Sequence, residues 1–173
     1  RGHAVHFRCH APEAASLRID VMSAMRGVDP FPALWERRTT LADLEGETWE
    51  VMNIEDLVRA KKTQRDKDWP MIRALVEAHF ARHHVQPRPD DVRFWLRESR
   101  SPEILRQCAA ACPDLCTALS ADRPLLELVP TAGGDDAALE RALMEEELAE
   151  RARDREYWRP LRAELERLRH RRA

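Results

Sequence analysis

Polar and apolar positions alternate at two places near the start of the chain. From His3 to Cys9, Val5, Phe7 and Cys9 fall on one side and His6 and Arg8 on the other, the period-two pattern of a half-buried strand. Leu17 to Ser23 repeats it, with Leu17, Ile19 and Val21 facing one way and Arg18, Asp20 and Met22 the other. If His10 to Ser16 simply reverses the chain, a symmetric antiparallel register sets His6 beside Asp20 on the polar face. A further hairpin is expected over Thr39 to Met52, where Glu45-Gly46 supplies the turn and Thr48, Trp49 and Val51 supply strand-forming side chains. Between the hairpins, Asp29-Pro30 opens a short helix carrying Phe31, Leu34 and Trp35. The expected sheet is therefore small.

The period changes after Asn53, an N-cap residue with Asp56 at the third helical position, and Ile54, Leu57, Val58 and Lys61 recur at helical spacing. Everything beyond reads as helix. Met71, Leu75, Ala78 and His79 mark one helix, which ends before the break from Pro87 to Pro89; Val92, Trp95 and Leu96 begin the next. Ser101-Pro102-Glu103 opens another through Cys108 and Cys112, and Pro113 interrupts it by removing a backbone donor. A loop from Pro130 to Asp136 precedes a final pair of charged helices, where Leu139, Leu143 and Leu148 form a narrow apolar stripe among Glu145, Glu146, Glu147 and Glu150. The tail carries Arg167, Arg169, Arg171 and Arg172. The fold class expected is α+β: a small mixed or antiparallel sheet with helices over residues 1–86, and a helical region over residues 87–173.

Composition narrows the partners. Hydrophobic residues make up 43% and charged residues 35% of 173, enough apolar character for a folded core together with long solvated helix surfaces. Lys+Arg 29 against Asp+Glu 31 leaves a formal net charge of -2, so no global positive field draws the chain to nucleic acid or membrane. No stretch approaches the length of a bilayer-spanning helix, and Arg1 to His10 holds no apolar signal core. Four cysteines, one far from the other three, read as free thiols, and the expected location is the cytoplasm. The absence of an initiator Met and the immediate entry into a strand pattern suggest an upstream segment.

Two clusters carry candidate chemistry. Asp20 sits within Arg18-Ile19-Asp20-Val21-Met22, and a carboxylate held on a strand between apolar neighbours is presented rigidly from one face, as a divalent metal ligand requires. One helix beyond the strands comes Lys61-Lys62-Thr63-Gln64-Arg65-Asp66-Lys67-Asp68, whose cations suit phosphate oxygens, Lys as a point charge and Arg as a fork. The bland readings are a surface Asp paired with a neighbouring Arg, and a charged helix end with local ion pairs. Cys108, Cys112 and Cys116 fall at four-residue steps and read as small buried thiols rather than as a zinc or cluster site, which needs a fourth ligand. His79 and His83 share a helix face, but Phe80 stands where a zincin glutamate would follow His79.

In order along the chain, Arg18-Ile19-Asp20-Val21-Met22, Gly27 with Phe31, the Glu45-Gly46 hairpin, Val51 to Leu57 and the Lys61 to Asp68 cluster resemble the later half of nucleotidyltransferase-like proteins. That superfamily shares a core with polymerase-beta-type enzymes and includes abortive-infection toxins. The resemblance covers roughly the first half of the chain. It implies that Asp20 matches the third metal-binding carboxylate. Lys61 or Lys62 and Arg65 match cations on the phosphate side, and Asp68 matches the acid of an Arg-x-Lys-Asp pattern. Magnesium and a nucleoside triphosphate are the implied cofactor and substrate, the metal and cations offsetting charge on the transferring phosphoryl group.

The departures matter equally. The family's Gly-Ser or Gly-Gly turn followed by Asp-x-Asp does not precede Asp20, which has only nineteen residues before it. Gly133-Gly134-Asp135-Asp136 lies among helices and reads as a loop with an N-cap, and Met71 stands where family members often carry a further acid. The expectation is a nucleotidyltransferase-like protein inactive on its own. The alternative is a non-catalytic interaction protein that binds a protein partner through its C-terminal helices, and RNA binding through the Arg-rich tail is a third reading.

Overall fold

The computed structural model describes residues 4–129 and 136–170; His3, the loop stretch from Pro130 through Gly133, Gly134 and Asp135, and the terminal Arg171 and Arg172 lie outside the described residues. The elements in order are β1 (Ala4–Arg8), β2 (Arg18–Met22), α1 (Phe31–Glu36), β3 (Thr39–Ala42), β4 (Thr48–Val51), α2 (Ile54–Lys61), α3 (Asp68–His83), α4 (Pro89–Glu98), α5 (Pro102–Ala111), α6 (Pro113–Ser120) and α7 (Asp136–His170). The fold class is α+β. The described residues of Arg1–Ala60 and Tyr157–Ala173 form one unit, and Lys61–Glu156 form a second. The Pro87 to Pro89 turn, where the sequence suggests a domain boundary, lies inside the second unit.

In the first unit the strands make two separate two-stranded antiparallel sheets rather than one small sheet. β1 pairs β2 in the symmetric register, His6 opposite Asp20, Val5 opposite Val21 and Phe7 opposite Ile19. β3 pairs β4 with Leu41 opposite Trp49 and Thr40 opposite Glu50. The turn between them needs Gly46, whose φ of +87° is left-handed, and the Asp43 carboxylate accepts from the amides of Glu45 and Glu47 at 2.9 Å each. One expectation fails here. Strand alternation puts the apolar side chains on one face, but Val5 (57% exposed), Phe7 (53%), Ile19 (53%) and Val21 (53%) are not half-buried strand residues covered by a core. Alternation says which side chains share a face; whether anything packs on that face is decided elsewhere in the chain.

α2 starts as the sequence suggests. Asn53 accepts from the Asp56 amide at 2.8 Å and donates from its side-chain nitrogen to the Arg37 carbonyl at 3.0 Å, so one residue caps the helix and ties it to the end of α1.

In the second unit α4, α5, α6 and the 3-10 turn Pro124–Leu128 each open on a proline, where a missing N–H costs nothing. The core is made of Ile72 and Val76 from α3, Trp95 and Leu96 from α4, Leu105 from α5 and Leu126, all at most 1% exposed, with Leu139 and Leu143 of α7 also buried. Arg123 is buried among them. Its guanidinium donates to the carbonyls of Leu96 at 2.8 Å and Ser99 at 2.9 Å, and to Glu146 at 2.8 Å, closing the C-terminal end of α4 against α7. The final pair of helices expected from the sequence is one 35-residue helix, α7, with Pro160 inside it. Proline removes one amide donor, yet the surrounding Ala, Leu, Glu and Arg residues favour the helix strongly enough to carry it through.

Truncating Ile72→Ala, which has no exposed surface, is expected to lower stability by about 2–5 kcal/mol in urea denaturation. Asn53→Ala removes the cap and is expected to cost about 1–2 kcal/mol by the same measurement.

Candidate functional site

Asp20 projects from the polar face of β2, with its side chain 45% exposed. Its Oδ1 lies 2.6 Å from His6 Nδ1 and accepts from Arg18 Nε at 2.8 Å. Cross-strand pairing supplies His6, and the two-residue repeat of the strand supplies Arg18 on the same face. The hydrogen bond with His6, followed by that from Arg18, holds the Asp20 carboxyl below the usual carboxylate range. The group is therefore an anion at neutral pH, but one already bonded to two basic side chains.

Along the same face, two residues on, Met22 borders a cleft of about 370 Å³ within the first unit. Met25, Phe31, Leu34, Trp35 and Met52 are among the residues of its apolar wall. Phe31 and Trp35 stand one turn apart on α1 with ring centroids 5.7 Å apart. The rim is polar: Arg38 Nε donates to Glu50 Oε2 at 2.7 Å while its guanidinium lies 4.2 Å from the Trp35 ring centroid. Next to Arg38 in the chain, Arg37 donates to Asp56 at 2.6 and 3.0 Å and to Asp29 at 2.6 Å, a bidentate clamp on a buried carboxylate that raises the Arg37 pKa.

The basic cluster belongs to the second unit. Asp68 opens α3 and is 1% exposed. It accepts from the Thr63 hydroxyl and from Arg65 Nε at 2.8 Å, and Lys61 Nζ stands 3.8 Å away. Trp69 fixes the same turn by donating its indole N–H to the Thr63 carbonyl at 2.9 Å. Lys62 turns elsewhere, its Nζ 2.6 Å from the Glu98 carboxylate. Lys61, Arg65 and Asp68 thus meet within the second unit, and Lys62 does not join them. Their chemistry is a loop closed around a buried acid, because a carboxylate withdrawn from water needs every lone pair met.

A polar cavity of about 270 Å³ lies near Glu98, Arg100, Arg123 and Glu146. Burial pushes the Glu146 carboxyl up, but the hydrogen bonds from Arg123 and the charge of Arg100 more than offset it, leaving its pKa lowered. Arg100 donates to Glu146 at 2.6 Å and also binds the Leu143 carbonyl. These charges neutralise one another and read as the internal fastening of α4 to α7.

Among the described residues no group of three or more His, Cys, Asp or Glu side chains is placed to hold a metal. Desolvation pushes the buried Cys108 thiol up to about 12 and raises Cys116 as well, so both are poor nucleophiles and poor ligands. His79 accepts the Trp95 indole N–H on Nδ1 at 2.9 Å and lies 4.4 Å from the His83 ring with the two planes tilted by 36°, which makes it part of the joint between α3 and α4. The sequence reading missed the cleft. Its signal was present in three of the five methionines falling between residues 22 and 52 around an aromatic pair spaced by four. The chain matches none of the known family models, none of the curated proteins and none of the solved structures.

Two outcomes follow from these geometries. Asp68→Asn weakens the acceptor that Thr63 and Arg65 share and is expected to lower stability by about 1–3 kcal/mol, read as a shifted urea midpoint. His79 is held below the ordinary 6.5 chiefly by burial, then by His83, so the fold favours its neutral form. Its contribution is complete above 6.5 and is lost as pH falls through the lowered value. His79→Gln keeps an acceptor for Trp95 without titrating, so its stability relative to the parent is expected to rise as the pH is lowered from about 7.5 to about 5.

Proposed function

We propose that this chain carries part of a nucleotidyltransferase-like nucleotide site, and that it binds a nucleoside triphosphate without transferring a nucleotidyl group on its own. The carrying observation is the ordered series Asp20, Lys61, Arg65, Asp68, with Asp20 presented at the exposed polar face of β2. By the resemblance, Asp20 in the first unit answers to the acid on the reacting side and, in the second unit, Lys61, Lys62 and Arg65 answer to the phosphate-side cations, which would have to leave Asp68 and Glu98 to reach a phosphate. Among the described residues the side chains do not make a magnesium site. Magnesium requires close octahedral oxygen coordination, and Asp20 offers one carboxylate that His6 and Arg18 already occupy. This mismatch is why the reading assigns no catalysis to the chain alone. Four free thiols fit a reducing compartment, so we place the protein in the cytoplasm. Among the described residues no helix is long and apolar enough to cross a membrane.

The second reading, a non-catalytic interaction protein, is favoured by the uncovered apolar face of β1 and β2, and by Met144 and Leu148 exposed on α7 while Leu139 and Leu143 are buried. RNA binding by the Arg-rich tail rests on Arg167 and Arg169 alone among described residues.

Transfer of label from α-phosphate-labelled nucleoside triphosphates decides between the readings. The chain alone is expected to transfer none, and the product that includes any coding sequence upstream of Arg1 is expected to label an acceptor. Failure of all four nucleotides with the longer product, together with a stable complex with a second protein in size exclusion with light scattering, would favour the interaction reading.

A further inference from the structure

α7 is buried near its start, at Leu139 and Leu143, and its later turns are not. There Trp158, Leu161, Leu165 and Leu168 follow one another at alternating steps of three and four. That spacing draws a single apolar seam along a helix, the a and d positions of a seven-residue repeat. Trp158 and Leu161 are half-buried, whereas Leu165 and Leu168 are each 46% exposed. Cover falls away along the seam and leaves its last two leucines in water. Pro160 falls outside the seam, so its ring does not block a helix laid against it.

We infer that this seam is the contact between two copies of the chain, their α7 helices packed in parallel. The charges beside the seam choose both the occupant and its direction. Arg155, Arg162 and Arg169 recur at seven-residue steps along one flank, and Glu164 stands on the other. In a parallel pair each flank meets the opposite flank of its neighbour, five residues further on, which sets Glu164 against Arg169 of the second copy. Two-fold symmetry makes that pair twice. An antiparallel pair sets like flanks together, arginine on arginine and Glu164 on Glu164. Both groups are exposed, and among the described residues no ion pair holds either of them in its own chain.

A second copy therefore supplies the apolar stripe and the complementary charges at once. Two heptads in a free peptide are too short to hold a helix in water. Here they continue a 35-residue helix, so pairing starts from an ordered backbone and avoids most of the cost of ordering it. The seam from Trp158 to Leu168 spans only about 15 Å, which puts the contact in the small, weak class of interfaces. This contact is independent of the nucleotide reading.

Light scattering of the whole chain from about 10 μM to about 1 mM tests it. The mass is expected to climb toward twice that of one chain, and a single-chain mass at the highest concentration overturns the inference, whatever else the seam then binds. Leu165→Glu and Leu168→Glu change exposed residues, so they are expected to keep the parent's thermal midpoint and to abolish association. Association that survives both, or that is lost instead with Ile19→Lys on the apolar face of the β1 and β2 hairpin, overturns it. Arg169→Glu reads the direction. It is expected to weaken a parallel pair by roughly 3- to 30-fold, and adding Glu164→Arg restores the parent affinity. Tighter association of Arg169→Glu alone, the result for arginines set against arginines, overturns the parallel arrangement.

Discussion

A carboxylate taken out of water must be bonded almost completely, and four aspartates impose that constraint here. Asp56, Asp68, Asp91 and Asp154 are each at most 4% exposed. Asp56 accepts from Arg37 at both carboxylate oxygens; Asp68 from Thr63 and Arg65; Asp91 from the amide and guanidinium of Arg88; Asp154 from the amide of Gln64. Asp56, Asp68 and Asp91 sit in the first turns of α2, α3 and α4, whereas Asp154 lies within α7 and takes the loop amide of Gln64. Apolar packing fills the space between helices in the second unit, while three of these acids mark helix starts and the fourth fastens a loop to α7.

That distinction separates the two carboxylates the sequence singles out. Asp20 and Asp68 look alike in a string of letters, each an acid close to basic residues. Asp68 is enclosed, and the arginine and lysine around it are its counterions. Asp20 stands in the open, bonded to groups that solvent and ligands also reach. A residue able to exchange partners is the better candidate for recognition, whereas a buried acid whose lone pairs are taken by its own loop is a fastening.

Local signals made much of the fold legible. The hairpin register that pairs His6 with Asp20 follows from alternation and loop symmetry, and the start of α2 follows from Asn53. The prolines at 89, 102 and 113 mark helix starts because their missing donor is harmless only there. What stayed hidden depends on more distant chain. Alternation could not say that Val5, Phe7, Ile19 and Val21 would be uncovered, nor could composition say that one helix would run through Pro160. Arg123 gave no local sign of its role, since its partners Leu96, Ser99 and Glu146 lie more than twenty residues away on either side. The cleft was hidden for the same reason: Met22, Trp35 and Met52 belong to three different elements or their ends.

The thiols in the second unit have a use independent of any activity. With Cys108 raised to about 12 by its surroundings, alkylating reagents find no thiolate there while the helices stay closed. Once α5 opens, the same sulfur reverts to an ordinary cysteine and reacts irreversibly. The rate at which Cys108 itself is modified therefore counts openings of α5, a built-in chemical clock for the breathing of that helix.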